Sequence, residues 1–138
     1  MTRSISLTTS YSHPISKVWK ALTDKNALSK WLMPTDFEPV VGHKFQFKTK
    51  PQGNFDGIVN CEVLEIIEYK KLSFSWSAGA SLQTVVSFVL TDLGEETRLD
   101  FEHKGFEGFL NRLIARNILA AGWKRKILVK LLPEYLAT

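Results

Sequence analysis

Between residues 43 and 103 the chain carries five runs in which apolar and polar residues alternate, joined by links only a few residues long. A period of two sends successive side chains to opposite faces of an extended strand. Links this short close only hairpins, so neighbouring strands must run antiparallel. The runs are 43–50, 56–67, 70–77, 82–92 and 95–103. Their separators have turn chemistry: Pro51-Gln52-Gly53-Asn54, Tyr69-Lys70-Lys71, Ala78-Gly79-Ala80 and Asp92-Leu93-Gly94-Glu95. Alternation assigns Phe45, Phe47, Val59, Cys61, Val63, Leu72, Phe74, Trp76, Val86, Phe88, Leu90, Leu99, Phe101 and His103 to one face. Lys44, Lys48, Asn60, Glu62, Ser73, Ser75, Ser87, Arg98, Asp100 and Glu102 fall on the other. A sheet apolar on one side only must be covered.

The cover is residues 108–136, where Leu110, Leu113, Ile114, Ile118, Ala121, Trp123, Ile127, Leu128, Leu131, Leu132 and Tyr135 form a broad apolar band at 3.6-residue spacing. An α-helix of that length spans about 40 Å, enough to cross the sheet. Gly122 in its middle marks a kink or a close approach. Ahead of the meander, 3–11 alternate as a sixth strand, with Ile5, Leu7, Thr9 and Tyr11 on one face. Pro14 opens a short helix over 14–22, and Thr23 or Asp24 caps a second one through about Trp31. The expectation is a single α+β domain over residues 1–138.

The single cysteine, Cys61, excludes an intrachain disulfide, and neither it nor the three histidines show metal-ligand spacing. His13 and His43 are expected to be exposed. No apolar run approaches membrane-spanning length and the N-terminus lacks a signal core, so the expected localisation is cytoplasmic. Residues 104–138 hold seven cations against two anions within a net charge of +4. The cations are dispersed and no nucleic-acid motif accompanies them, so they are read as a solubilising face.

Specific motifs run the length of the chain: P-I-S-K-V-W-K-A-L-T-D (14–24), L-S-K-W-L-M-P (28–34), V-G-H-K-F-Q-F (41–47) and F-D-G-I-V-N-C-E-V (55–63), then K-L-S-F-S-W (71–76), V-S-F-V-L-T (86–91), T-R-L-D-F-E-H-K-G-F (97–106) and A-G-W-K-R-K-I-L-V-K-L-L (121–132). With them the chain resembles bacterial homologues of the activator of heat-shock-protein-90 ATPase, within the START-like (SRPBCC, birch-pollen-allergen-like) superfamily. His43 stands where a second glycine is common, which bears only on the turn. The resemblance implies a helix-grip fold, in which a six-stranded curved antiparallel sheet and two short helices wrap a long C-terminal helix. It implies an apolar cavity for a lipid-, sterol-, polyketide- or flavonoid-like molecule, and a connection to stress response. It brings no shared catalytic motif and no cofactor. The name derives from proteins that join this domain to a second one, so chaperone activation is not inherited with the fold.

Trp31, Trp76 and Trp123 stand on three separate elements and either line the cavity or fill the core. The expected lining is Trp31, Phe45, Phe47, Val59, Phe74, Trp76, Phe88, Phe101, His103 and Trp123. His103 points inward by alternation, either hydrogen-bonding a ligand or satisfied by backbone at the rim. No G-x-S-x-G, Gly-rich phosphate loop or interior carboxylate pair is present. The leading expectation is therefore binding of a small hydrophobic molecule, with no catalysis and no metal. The alternatives are an interaction protein or chaperone co-factor, and a cyclase- or hydrolase-like enzyme using His103. The expected oligomeric state is a monomer or weak dimer.

Overall fold

The computed structural model describes residues 4–51, 55–78, 83–106 and 119–138. Six strands form one antiparallel sheet: β1 (Ser4–Tyr11), β2 (Lys44–Lys48), β3 (Ile58–Ile67), β4 (Lys71–Ala78), β5 (Gln83–Asp92) and β6 (Thr97–Lys104). Their order is β1-β6-β5-β4-β3-β2, so the hairpins of β2 to β6 lie side by side and β1 closes onto β6. Helices α1 (Ile15–Thr23) and α2 (Lys25–Trp31) follow β1. Asp24 caps α2 by accepting from the backbone N–H groups of Asn26 and Ala27. With the C-terminal helix packed on the sheet, this is an α+β helix-grip fold.

Every residue that alternation turned inward, from Phe45 to His103, is buried in one core. Of those assigned to the solvent face, Ser73 is the exception and is buried. It sits on central strand β4 between Glu65 and Ser87, and so short a side chain is covered by its cross-strand neighbours. His13 and His43 are half-buried rather than exposed. The His43 ring stacks on Phe45, with Nε2 3.1 Å from the Asp36 carbonyl. The His13 carbonyl accepts from Thr97 Oγ1.

The C-terminal helix departs from the expected period. Leu110, Leu113, Ile114 and Ile118 lie outside the described residues. From Gly122 to Leu131 the segment is a π-helix, and α3 (Leu132–Leu136) completes it. The apolar pattern explains why. In an α-helix Leu128 and Leu132 would lie about 140° and 180° around the axis from Trp123. With i→i+5 bonding, at about 4.4 residues per turn, both come within about 50° of it. Trp123, Leu128 and Leu132 are then all fully buried, while Lys124, Arg125, Lys126 and Lys130 remain in solvent. Ala121, expected in the band, is exposed.

Gly122 begins the π segment without a close approach among the described residues, where a Cβ would meet only Ile127 Cδ1, at 4.0 Å. Pro133 fixes where the segment ends. The N–H of Leu132 still reaches back five residues to Ile127. The next donor in that frame would be Pro133, which has none, so Leu128 loses its partner. The buried Tyr11 hydroxyl replaces it, donating to the Leu128 carbonyl at 2.8 Å.

Candidate functional site

The inner face of the sheet is a run of aromatic rings. Phe45, Phe74 and Phe88 follow one another across β2, β4 and β5 at 5.4 and 6.0 Å between centroids. Phe101 on β6 continues the run, 5.2 Å from Phe88 and 4.6 Å from Trp123 of the π segment. At the other end of β4, Trp76 lies 5.8 Å from Phe47, 5.5 Å from Trp123 and 5.4 Å from the His103 ring. Val59 is buried opposite Phe47 and Ala78. The sheet and the π segment thus bring together nine of the ten expected lining residues, eight on strands and Trp123 on the helix. Trp31 stands apart, pinned to α1 by donating Nε1–H to the Ala21 carbonyl at 2.8 Å. It makes no ring contact among the described residues, so two of the three tryptophans converge.

His103 is fully buried, and it is satisfied by side chains rather than by backbone at a rim. Trp123 Nε1–H donates to Nδ1 at 3.1 Å. An indole nitrogen can only donate, so Nδ1 must be the bare nitrogen. On the other side Nε2 lies 2.6 Å from Thr84 Oγ1, whose own proton goes to the Trp76 carbonyl at 2.9 Å. The neutral ring therefore carries its proton on Nε2 and gives it to Thr84. Burial lowers the His103 pKa to about 3, which keeps the ring uncharged.

Two residues of this cluster were not among the expected lining. Thr84 shares the parity of Val86, Phe88 and Leu90 on β5, so a lone inward-facing hydroxyl was visible in the pattern. Phe106 is buried against His103 at 4.8 Å, placed by the turn at Gly105. Gly105 has φ +111°, and a Cβ there would press on the Thr84 backbone at 3.1 Å. Only glycine lets the chain leave β6 so close to the His103 partner.

The buried polar residues are Ser73, Thr84, Thr97 and His103, so among the described residues no charge lies in the interior. Trp76 Nε1 is buried without a hydrogen-bond partner among the described residues. Burial pushes the Cys61 thiol pKa up, which leaves it an inert core residue. Among the described residues no three of His, Cys, Asp and Glu gather as metal ligands, and no helix is long and apolar enough to cross a membrane. Surface clefts of about 390, 350, 300 and 660 Å³ lie elsewhere, none of the four lined by Trp76, His103 or Trp123. The largest is an apolar groove between Ile15, Ile67, Tyr69 and Leu90.

Comparison with known proteins gives a consistent picture. The family profile described as Activator of Hsp90 ATPase homolog 1-like protein matches residues 12–137. Protein MLL2253 from Mesorhizobium loti is 30% identical with a TM-score of 0.85, over 97% of this chain and 96% of its own. DynU16, a protein of the dynemicin biosynthetic locus, is 24% identical with a TM-score of 0.81. That likeness covers all of this chain but 48% of DynU16. PFC0360w, an HSP90 activator from Plasmodium falciparum, is 20% identical with a TM-score of 0.69, over 91% of this chain and 90% of its own. The last two likenesses show the fold alone. Among curated proteins none matches.

Proposed function

We propose that this chain, which belongs to the Activator of Hsp90 ATPase homolog 1-like family, is a binding domain for a small hydrophobic molecule held between the sheet and the C-terminal helix. The observation that carries this reading is the inner wall itself: aromatic rings packed edge-to-face or tilted around Trp76 and Trp123, with no buried charge among the described residues. Such a surface gains by burying an apolar guest and offers nothing to hold an ion. The origin of DynU16 in a biosynthetic locus is in keeping with a small-molecule role.

The state of His103 supports reading the site as one of binding rather than catalysis by this residue. General acid–base work needs a group able to change protonation near the working pH. Here both nitrogens are engaged and the ring stays neutral. Trp76, His103 and Trp123 are at most 3% exposed, so a guest reaches them only by parting helix from sheet. Association should then be gated and slower than the ~10⁵ M⁻¹s⁻¹ of open docking.

The test is an NMR titration of labelled protein with fatty acids, sterols and flavonoid-like polyphenols. Saturable shifts clustering around Trp76, His103 and Trp123 are expected. A folded protein whose resonances stay in place across the panel would sink the reading.

One observation favours a second reading, an interaction domain related to chaperone activation. Lys124, Arg125, Lys126 and Lys130 are exposed on the π segment and make no ion pair among the described residues. Capture of Hsp90 at low salt, lost on changing these four residues to Ser, would support it.

A further inference from the structure

We propose that the outer edge of β1 is an interaction surface for β1 of a second copy of this chain. The two strands pair antiparallel about a two-fold axis at Leu7 and join two six-stranded sheets into one. This stands apart from the binding reading above.

The case begins with how differently the two edges of the sheet are finished. β1 and β2 are its outermost strands. A bare edge presents a row of unpaired N–H and C=O groups, which folds blunt with lysine, proline, a bulge or a covering segment. β2 has both lysine and a cover. Lys44 and Lys48 stand at its two ends. Residues 34–36 run along its outer side: Thr35 bridges to Phe47, the Gln46 N–H donates to Asp36 Oδ1 at 2.8 Å, and the Lys48 N–H donates to the Pro34 carbonyl at 3.1 Å.

β1 has none of these devices. Ser4–Tyr11 holds no charge and no proline, and it runs beside β6 without a bulge, from Ser4 opposite Lys104 to Tyr11 opposite Thr97. Every second residue of such a strand turns its N–H and C=O away from its neighbour. From Ile5 to Tyr11 those outward groups have no partner among the described residues. The side chains show the same gap. Ile5 and Tyr11, on the inward face, are at most 4% exposed, whereas Leu7 on that face is only half-buried.

The strand suits a copy of itself. Residues directly opposite in an antiparallel pair share a face, so inward residues must meet inward ones. With Leu7 on the axis, Leu7 meets Leu7, Ile5 meets Thr9 and Ser6 meets Thr8 of the second copy. The two half-buried leucines then cover each other, and the solvent side sets hydroxyl against hydroxyl, a favourable cross-strand match. Roughly four to six backbone hydrogen bonds close the seam. No charge opposes it. Arg98, Asp100, Glu102 and Lys104 on β6 are three strand spacings, about 14 Å, from their counterparts, beyond the screening length of about 8 Å. Any extended peptide could use the backbone bonds, but the leucine-on-leucine, hydroxyl-on-hydroxyl register is particular to a second copy.

The test is sedimentation equilibrium of the full chain, joined to a crosslink that reads the register. A single strand seam buries less than about 1,200 Å², so a dimer with a Kd on the order of 10–100 µM is expected. Ser6→Lys together with Thr8→Lys, both at exposed positions, sets like charges opposite each other across the seam and should weaken the dimer at least about tenfold. Under mild oxidation, Ser6→Cys mixed with Thr8→Cys should form a disulfide-linked dimer several-fold faster than either variant alone, the native Cys61 being buried. A chain still monomeric at about 1 mM would overturn the proposal. A dimer indifferent to the two lysines, or crosslinked equally by every cysteine pairing, would place the interface elsewhere and overturn it too. If the double-lysine variant does not fold, the wild-type equilibrium and the cysteine pairing decide.

Discussion

His103 is held neutral by its surroundings, and this has a measurable cost in acid. Its ordinary pKa is 6.5, and burial lowers it to about 3 in the folded protein. As pH falls below about 6.5 the unfolded chain takes up a proton there that the folded one refuses. Stability should therefore decline between about pH 6.5 and about pH 3, with a slope from this residue of up to about 1.4 kcal/mol per pH unit. Urea unfolding at a series of pH values reads that slope, and His103→Phe should flatten it. Thr84→Val leaves His103 Nε2–H unpaired in the interior and takes one donor from the Trp76 carbonyl. A loss of about 1–3 kcal/mol is expected, largely restored in Thr84→Ser; an unchanged urea midpoint would contradict the network. Alternation placed His103 and Thr84 on the right face, because parity is local information. It could not pair them: their partners lie 19 and 20 positions apart in sequence, and only strand register and the turn at Gly105 bring them together. Parity could not place Trp31 either, since its partner, the Ala21 carbonyl, belongs to a neighbouring helix.

At the scale of elements, the six strands and two short helices were legible because their periods are unambiguous and their turns carry the expected residues. The C-terminal helix was legible as a helix but misread in its winding. Apolar residues at 123, 127, 128, 131 and 132 fit a broad α-helical band loosely and a π-helical face well. Pro133 was the sign that the ladder of hydrogen bonds changes there. The structure makes Tyr11 the counterpart of that proline, and burial pushes its hydroxyl pKa up, keeping it a donor. Tyr11→Phe removes one oxygen and leaves the Leu128 carbonyl without a partner. It should cost about 1–3 kcal/mol in urea unfolding and speed amide exchange in α3. Exchange in α3 equal to wild type would mean that the hydroxyl is dispensable to the splice.

For the molecule as a whole, the meander of β2 to β6 could be read from the chain directly. The position of β1 could not, because no short link ties it to a neighbour; the resemblance implied a six-stranded sheet but not its order. In the fold Ser4 faces Lys104 and Tyr11 faces Thr97, so the first strand belongs beside the last. That pairing separates the order of synthesis from the order of assembly. At roughly 5–20 residues per second, a ribosome works for several seconds to some twenty more after finishing β1 before β6 exists. Small domains of mixed structure can close their sheets in milliseconds once their parts are present. For this chain the slow step in the cell is thus the wait for a partner strand, and during that wait residues 4–11 are one half of a strand pair with nothing yet to complete it.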